Sequence, residues 1–258
     1  RFMALISFAG VKKAFGPKIV YRGFDLEVRR GEVLTIIGGS GQGKSVMLKM
    51  LIGLLTVDEG TITFDGEVIS GGDEASFASV RRRIAMLFQG AALFDSLSVG
   101  ENVAYGLEEQ RADSKFIQGR VQESLGFVGM EGSEGLWPAE LSSGMKKRVG
   151  LARAIAMRPE VLLYDEPTTG LDPINVQRII ELILHLQRNL DVTSIVVTHD
   201  MHSALSISDR IAMIHGGYVI FSGTPSELMA SEDARVRDFV EGNAPEDEDT
   251  ETLLRSAG

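Results

Sequence analysis

Eight consecutive residues, Gly38-Gly39-Ser40-Gly41-Gln42-Gly43-Lys44-Ser45, fit the pattern G-x-x-x-x-G-K-[ST]. Glycine lets a backbone curl until its N–H groups converge on phosphate oxygens, and a helix that starts at the end of the loop adds its positive pole. Lys44 then neutralises the β and γ phosphates of a nucleoside triphosphate, and the Ser45 hydroxyl faces Mg²⁺. A second run, Val161-Leu162-Leu163-Tyr164-Asp165-Glu166, delivers two carboxylates from an apolar stretch. Asp165 suits the metal side of such a site, and Glu166 suits a general base that polarises water against the γ-phosphate.

These groups need strands and helices to hold them. Val33-Leu34-Thr35-Ile36-Ile37 reads as a buried strand running into the glycine loop, and Lys44 to Leu55 reads as a helix with Val46, Met47, Met50, Leu51 and Leu54 on its apolar face. Ile84 to Phe88, Val161 to Tyr164 and Thr193 to Thr198 are short apolar runs of the kind buried on both faces of a parallel sheet. Asp65-Gly66 joins Thr61–Phe64 to Glu67–Ile69 as a hairpin. Between Gln89 and Pro159 the pattern is mainly helical, which predicts an insertion between two strands of one sheet. After Ile211–Ile214 and Tyr218–Phe221, Thr224-Pro225 opens a short helix and Arg235 to Val240 closes another. The fold class is therefore α/β. One domain is expected over 1–242, with the helical part at about 90–159, followed by an acidic, disordered tail over 243–258.

Composition narrows the chemistry further. Lys plus Arg number 26 against 36 Asp plus Glu, a net charge of −10, which argues against a nucleic-acid surface working by bulk electrostatics. With no cysteine, thiolate metal sites and cysteine nucleophiles are excluded, and of the four histidines His185, His202 and His215 have no ligand spacing between them. No apolar run reaches the roughly 20 residues that span a bilayer. A cytoplasmic location is expected.

A phosphate loop and a carboxylate strand do not choose among kinases, GTPases, helicases and transport motors. Leu141-Ser142-Ser143-Gly144-Met145, ahead of the Asp165 strand, makes the choice. It resembles the LSGGQ signature of the ATP-binding cassette (ABC) family. Other marks of that family follow in order: Phe15 as the aromatic on adenine, Gln89 as the Q-loop glutamine, Gly170-Leu171-Asp172 as the D-loop and His199 as the switch histidine. The resemblance implies a cassette with a mostly parallel core, an N-terminal antiparallel β subdomain and the helical insertion. It implies ATP held by Phe15, by the loop from Gly38 through Ser45 and on to Val46, by Gln89, and by Ser142, Ser143, Gly144 and Asp172. Mg²⁺ falls to Ser45, Gln89 and Asp165, and catalysis to Glu166, His199, Lys44 and Gln89. The signature offers a second phosphate-binding helix N-terminus, and the resemblance implies a head-to-tail homodimer in which one copy closes over the loop of the other.

Three features of the signature set expectations. Ser143 adds a Cβ where an unusual φ is wanted, and Met145 deletes an amide. Lys146-Lys147-Arg148 oppose the helix dipole by about 0.3 to 1 kcal/mol per charge unless an anion relieves them or they point into solvent.

The runs Gly38 to Val46, Leu87-Phe88-Gln89-Gly90-Ala91-Ala92-Leu93-Phe94 through Val99, and Leu141 to Arg148 are similar to those of the Mla/Mce phospholipid-transport ATPases. That resemblance implies integral membrane permease subunits, an MCE-domain lipid-binding protein and, in some systems, a small STAS-domain subunit, with the cassette peripheral on the inner face of the cell membrane. Ala91 to Val103 is expected to dock a permease helix through Leu93, Phe94 and Leu97, or else to fill its own subdomain's core. The rival readings are an importer for a polar solute such as an amino acid, and a non-transport ABC ATPase acting on nucleic acid or ribosomes.

Overall fold

A computed structural model describes residues 4–243, so the acidic tail beyond Asn243 lies outside the described residues. The strands are β1 (Ile6–Phe15), β2 (Lys18–Val28), β3 (Val33–Ile37), β4 (Glu59–Phe64), β5 (Glu67–Val68), β6 (Ile84–Leu87), β7 (Val161–Asp165), β8 (Thr193–Val197), β9 (Arg210–His215) and β10 (Tyr218–Gly223). The helices are α1 (Lys44–Leu51), α2 (Glu74–Arg83), α3 (Val99–Glu109), α4 (Ser114–Phe127), α5 (Ser143–Ala156), α6 (Pro173–Leu190), α7 (Met201–Ile207), α8 (Pro225–Met229) and α9 (Ala234–Glu241).

Two sheets result. An antiparallel one has the order β2-β1-β4-β5, and a six-stranded one has the order β10-β9-β3-β8-β7-β6. In the second sheet β9, β3, β8, β7 and β6 run parallel and β10 pairs antiparallel at the edge. Every residue of β3, β7 and β8 is buried, as expected for central strands covered on both faces. Asp165 registers with Val197, and the Thr198 N–H donates to Ile36 O at 3.2 Å. The chain therefore brings the loop after Ile37, the pair Asp165-Glu166 and the segment Thr198-His199 to one carboxyl edge, where open α/β sheets take ligands.

Helices α3, α4 and α5 lie between β6 and β7 in the chain and share a core with one side of the sheet through Val99, Val103, Leu125, Val149 and Leu162. A second core under the antiparallel sheet joins Phe8, Phe24 and Phe64 to Met47 and Leu51 of α1.

Some boundaries differ from the expectation. The helix after the glycine loop stops at Leu51 rather than Leu55, because Gly53 is left-handed at φ 72° and the N–H groups of Leu54 and Leu55 both turn back to Lys49 O. The hairpin strand ends at Val68, with the Ile69 N–H still bonded to Ile62 O at 2.9 Å. Helix α2 was not anticipated; its start is fixed by Asp73, whose side chain accepts from the Ser76 N–H.

Candidate nucleotide site

The loop between β3 and α1 depends on glycine at two tight points. Gly38 has φ 151°, and a Cβ there would sit 2.5 Å from Ile214 O on β9. Gly43, at φ 96°, would place a Cβ 2.4 Å from Val20 Cγ1 of β2. Tyr21 of β2 donates its hydroxyl to Gly43 O at 2.6 Å, so the antiparallel sheet pins the start of α1. Burial pushes the Tyr21 phenol above its ordinary pKa and keeps it a donor. Lys44 arches over the loop, donating to Gly38 O at 2.8 Å and Gly39 O at 3.1 Å. Burial lowers its pKa, and the nearby carboxylates of Glu166 and Asp165 oppose that shift. Gln42 is used differently: its Oε1 accepts from the Gly216 N–H, which ties the loop to the β9–β10 turn.

Ser45 donates to Asp165 Oδ1 at 2.6 Å. Burial raises the Asp165 pKa, partly offset by that hydrogen bond and reinforced by Glu166. This buried carboxylate and the half-buried hydroxyl are hard oxygen donors of the type that Mg²⁺ takes. Next to it, Glu166 is a non-glycine residue at φ 50°. Its Oε2 accepts from Thr169 Oγ1 at 3.1 Å and lies 2.9 Å from His199 Nδ1.

Gly38, Gly43, Lys44, Ser45, Glu166 and His199 line one cleft of about 890 Å³, together with Phe15, Lys18, Val20, Gln89, Phe239 and Asn243, and Asp165 joins it only through its bond from Ser45. That volume suits a nucleotide, since ligand pockets run roughly 300 to 1,000 Å³. Phe15 is 44 % exposed at the cleft wall, at the end of β1. Asp58 steadies this end, accepting from Lys13 Nζ and from the Ala14 N–H at 2.7 Å each. Lys18, Val20, Phe239 and Asn243 were missed by sequence reasoning; Lys18 follows the Gly16-Pro17 turn and was readable as a cation at a hairpin tip.

The signature does not line this cleft. Ser142 caps α5, its Oγ accepting from the Met145 N–H at 3.3 Å. Ser143 is the first residue of α5 and is absent from the positive-φ positions, so its Cβ meets no unusual backbone. Gly144 abuts α6, where a Cβ would lie 3.1 Å from Asn175 Oδ1, and Asn175 in turn donates its backbone N–H to the α6 cap Asp172 at 3.0 Å. Lys147 and Arg148 correct the expectation of anion-relieved or solvated cations. Lys147 is buried against the carbonyls of Glu166, Pro167 and Thr169, and Arg148 donates to Gly129 O at 2.9 Å.

The sequence profile of the ABC transporter family matches residues 21–169. The chain belongs to that family. It is 40 % identical over 230 residues to the intermembrane phospholipid transport system ATP-binding protein MlaF of Haemophilus influenzae, covering 89 % of this chain and 87 % of that one. Among solved structures, cbiO1 of Clostridium perfringens, part of the ABC transporter complex cbiONQ, superposes with a TM-score of 0.82 at 32 % identity, covering 88 % of this chain and 91 % of that one. The ATP-binding cassette MJ0796, a dimer in a post-hydrolysis state with ADP and Pi, gives 0.78 at 30 % identity, with 85 % and 98 % covered. The cassette is thus an ATPase.

In this ABC cassette Gln89 stands exposed at the cleft, at the start of a segment held by two anchors, Arg153 and the buried Asn102. Ala91 and Ala92 are left-handed at φ 62° and 48°, and their carbonyls accept from Arg153 of α5 at 2.9 Å each. Asn102, fully buried, accepts from the Phe94 N–H and donates to the carbonyls of Phe94, Leu97 and Ser98. Leu93 packs inward against the helical core, whereas Phe94 is 41 % exposed and stacks at 4.7 Å on Tyr105. Of the three apolar side chains expected to dock a partner, Leu93 belongs to the core and Phe94 faces outward.

Proposed function

We propose that this cassette is the ATP-hydrolysing subunit of a bacterial phospholipid transporter of the Mla/Mce type. The observation that carries the reading is the likeness over nearly the whole chain to a relative named for phospholipid transport. No helix among the described residues is long and apolar enough to cross a membrane, so in this reading permease subunits supply the path and the cassette sits against the inner face of the membrane. An MCE-domain protein and a small STAS-domain subunit complete the assembly.

In the mechanism we infer, two copies pair head to tail, and Ser142, Ser143 and Gly144 of one close over the loop of the other. Phe15 carries the adenine, and backbone N–H groups of the loop with Lys44 hold the phosphates. Ser45, Asp165 and Gln89 would hold Mg²⁺, which when bound would supply charge neutralisation at the phosphoryl oxygens. Glu166 takes the proton of the attacking water, and His199 orients that carboxylate and the γ-phosphate. Lys44, buried, stabilises the charge that develops on the transferring group more than a solvated lysine would. The segment after Gln89, presented by Arg153 and Asn102, passes closure to the permease through Phe94.

Co-purification with its natural membrane partners, followed by mass spectrometry of bound lipid and measurement of ATPase activity against added solutes, tests the reading. Co-purified phospholipid is expected. Stimulation by an amino acid with no bound lipid would favour the polar-solute importer instead.

A further inference from the structure

Lys147 has no part in the nucleotide cleft, yet it is only 5 % exposed and every one of its ammonium protons is used. Nζ donates to Pro167 O at 2.7 Å, Thr169 O at 2.8 Å and Glu166 O at 3.2 Å. The three acceptors form the turn that carries the general-base carboxylate. Glu166 holds a left-handed φ of 50°, a conformation that persists in a non-glycine residue only where its surroundings over-determine it. From its own sheet the turn receives the bond from the Glu166 N–H to Val197 O at 2.9 Å. The cage around Lys147 is a constraint from elsewhere, because Lys147 rides on α5, whose first residues are the signature. A cation so near a helix N-terminus opposes the dipole, and the caged carbonyls supply the compensation.

We propose that Lys147 is a positioning residue for hydrolysis: it locks the signature helix to the Glu166–Thr169 turn, so that the end of α5 that meets one nucleotide sets the carboxylate that acts on the other. This rests on the head-to-tail reading of the site. Occupancy of the signature by the partner's nucleotide then aligns Glu166 in its own cleft, linking the two sites within each chain.

The test uses the full chain with Lys147→Met, which keeps the length and removes every donor, and with Lys147→Arg, which keeps the charge. For Lys147→Met, kcat is expected to fall about tenfold or more while KM for ATP stays within about threefold, and Lys147→Arg is expected to recover most of the rate. Lys147→Gln, with two donors on a shorter arm, serves as a second variant and is expected to show the same split between kcat and KM. Wild-type kcat in either the Met or the Gln variant overturns the proposal. So does a parallel loss of kcat and nucleotide affinity without rescue by arginine, or failure of both to fold, which would make Lys147 a scaffold residue. Failure of the site reading is separate: undiminished turnover in Glu166→Gln would sink it whatever Lys147 does.

Discussion

His199 Nδ1 lies 2.9 Å from Glu166 Oε2, the same oxygen that accepts the Thr169 hydroxyl. Both contacts fall on one oxygen, so Oε1 has no protein partner among the described residues and is the atom open to a water. Glu166→Gln keeps the shape and deletes the base. Its kcat should drop by roughly 10²- to 10⁴-fold, the usual contribution of a positioned general base, while ATP still binds. Phosphate release and nucleotide retention on gel filtration measure the two halves of that statement. His199→Ala should cost less than Glu166→Gln, since Thr169 continues to orient the carboxylate.

Tyr21 gives a prediction about stability and binding together. Tyr21→Phe removes the side-chain donor to Gly43 O, at the start of α1, and leaves that carbonyl with the Val46 and Met47 N–H groups alone. A loss of about 1 kcal/mol is expected for such a bond, and thermal melting should show a fall of about 2 to 4 °C for a chain of this size. The KM for ATP should rise, because the same carbonyl closes the phosphate loop.

Asp165 sets a pH dependence whose sign follows from its surroundings. Burial raises its folded pKa above the ordinary 3.8, so the folded state holds a proton that the unfolded state has released in the interval between those values. Stability therefore falls as pH rises through that interval, and the penalty stays in place above it. Asp165→Asn removes the charge and retains an oxygen for Ser45. Without Mg²⁺ the variant should melt above the wild type at pH 8, with the difference shrinking as the pH falls towards 4. Adding Mg²⁺ with nucleotide should raise the melting temperature of the wild type more than that of the variant.

Sequence alone placed the loop, the carboxylate strand and His199 at one sheet edge because each ends a short apolar run, and such runs report burial on both faces of a sheet. It could not place Tyr21, Lys147 or Asn102. Each acts through contacts with main-chain atoms, across separate elements for Tyr21 and Lys147 and within its own loop and helix for Asn102, and nothing in the periodicity near Lys147 distinguishes a caged ammonium from a solvated one. Asp172 was legible as a D-loop residue but not as the cap of α6, although Asp-Pro opening a helical run carries that signal. Leu93 and Phe94 are neighbours of similar character in the sequence, and only the packing around α3 and α5 sends one inward and the other out.

That division leads to the final prediction, on the link between hydrolysis and transport. Arg153 binds the carbonyls of Ala91 and Ala92, both left-handed, and its guanidinium carbon stands 5.7 Å from the centre of the Phe94 ring. Removing it as Arg153→Met takes away both hydrogen bonds and keeps most of the aliphatic bulk, so the segment after Gln89 loses its anchor while the cleft keeps its residues. ATP hydrolysis by the cassette alone should stay within about threefold of wild type, because no transition-state contact is lost. Stimulation of that hydrolysis by the permease should disappear. Phe94→Asp acts at the surface rather than at the anchor, and it should release the permease on gel filtration without lowering the melting temperature of the cassette. If Phe94→Asp unfolds the cassette and no selective dissociation is seen, Phe94 belongs to the subdomain's own core and the docking surface lies elsewhere.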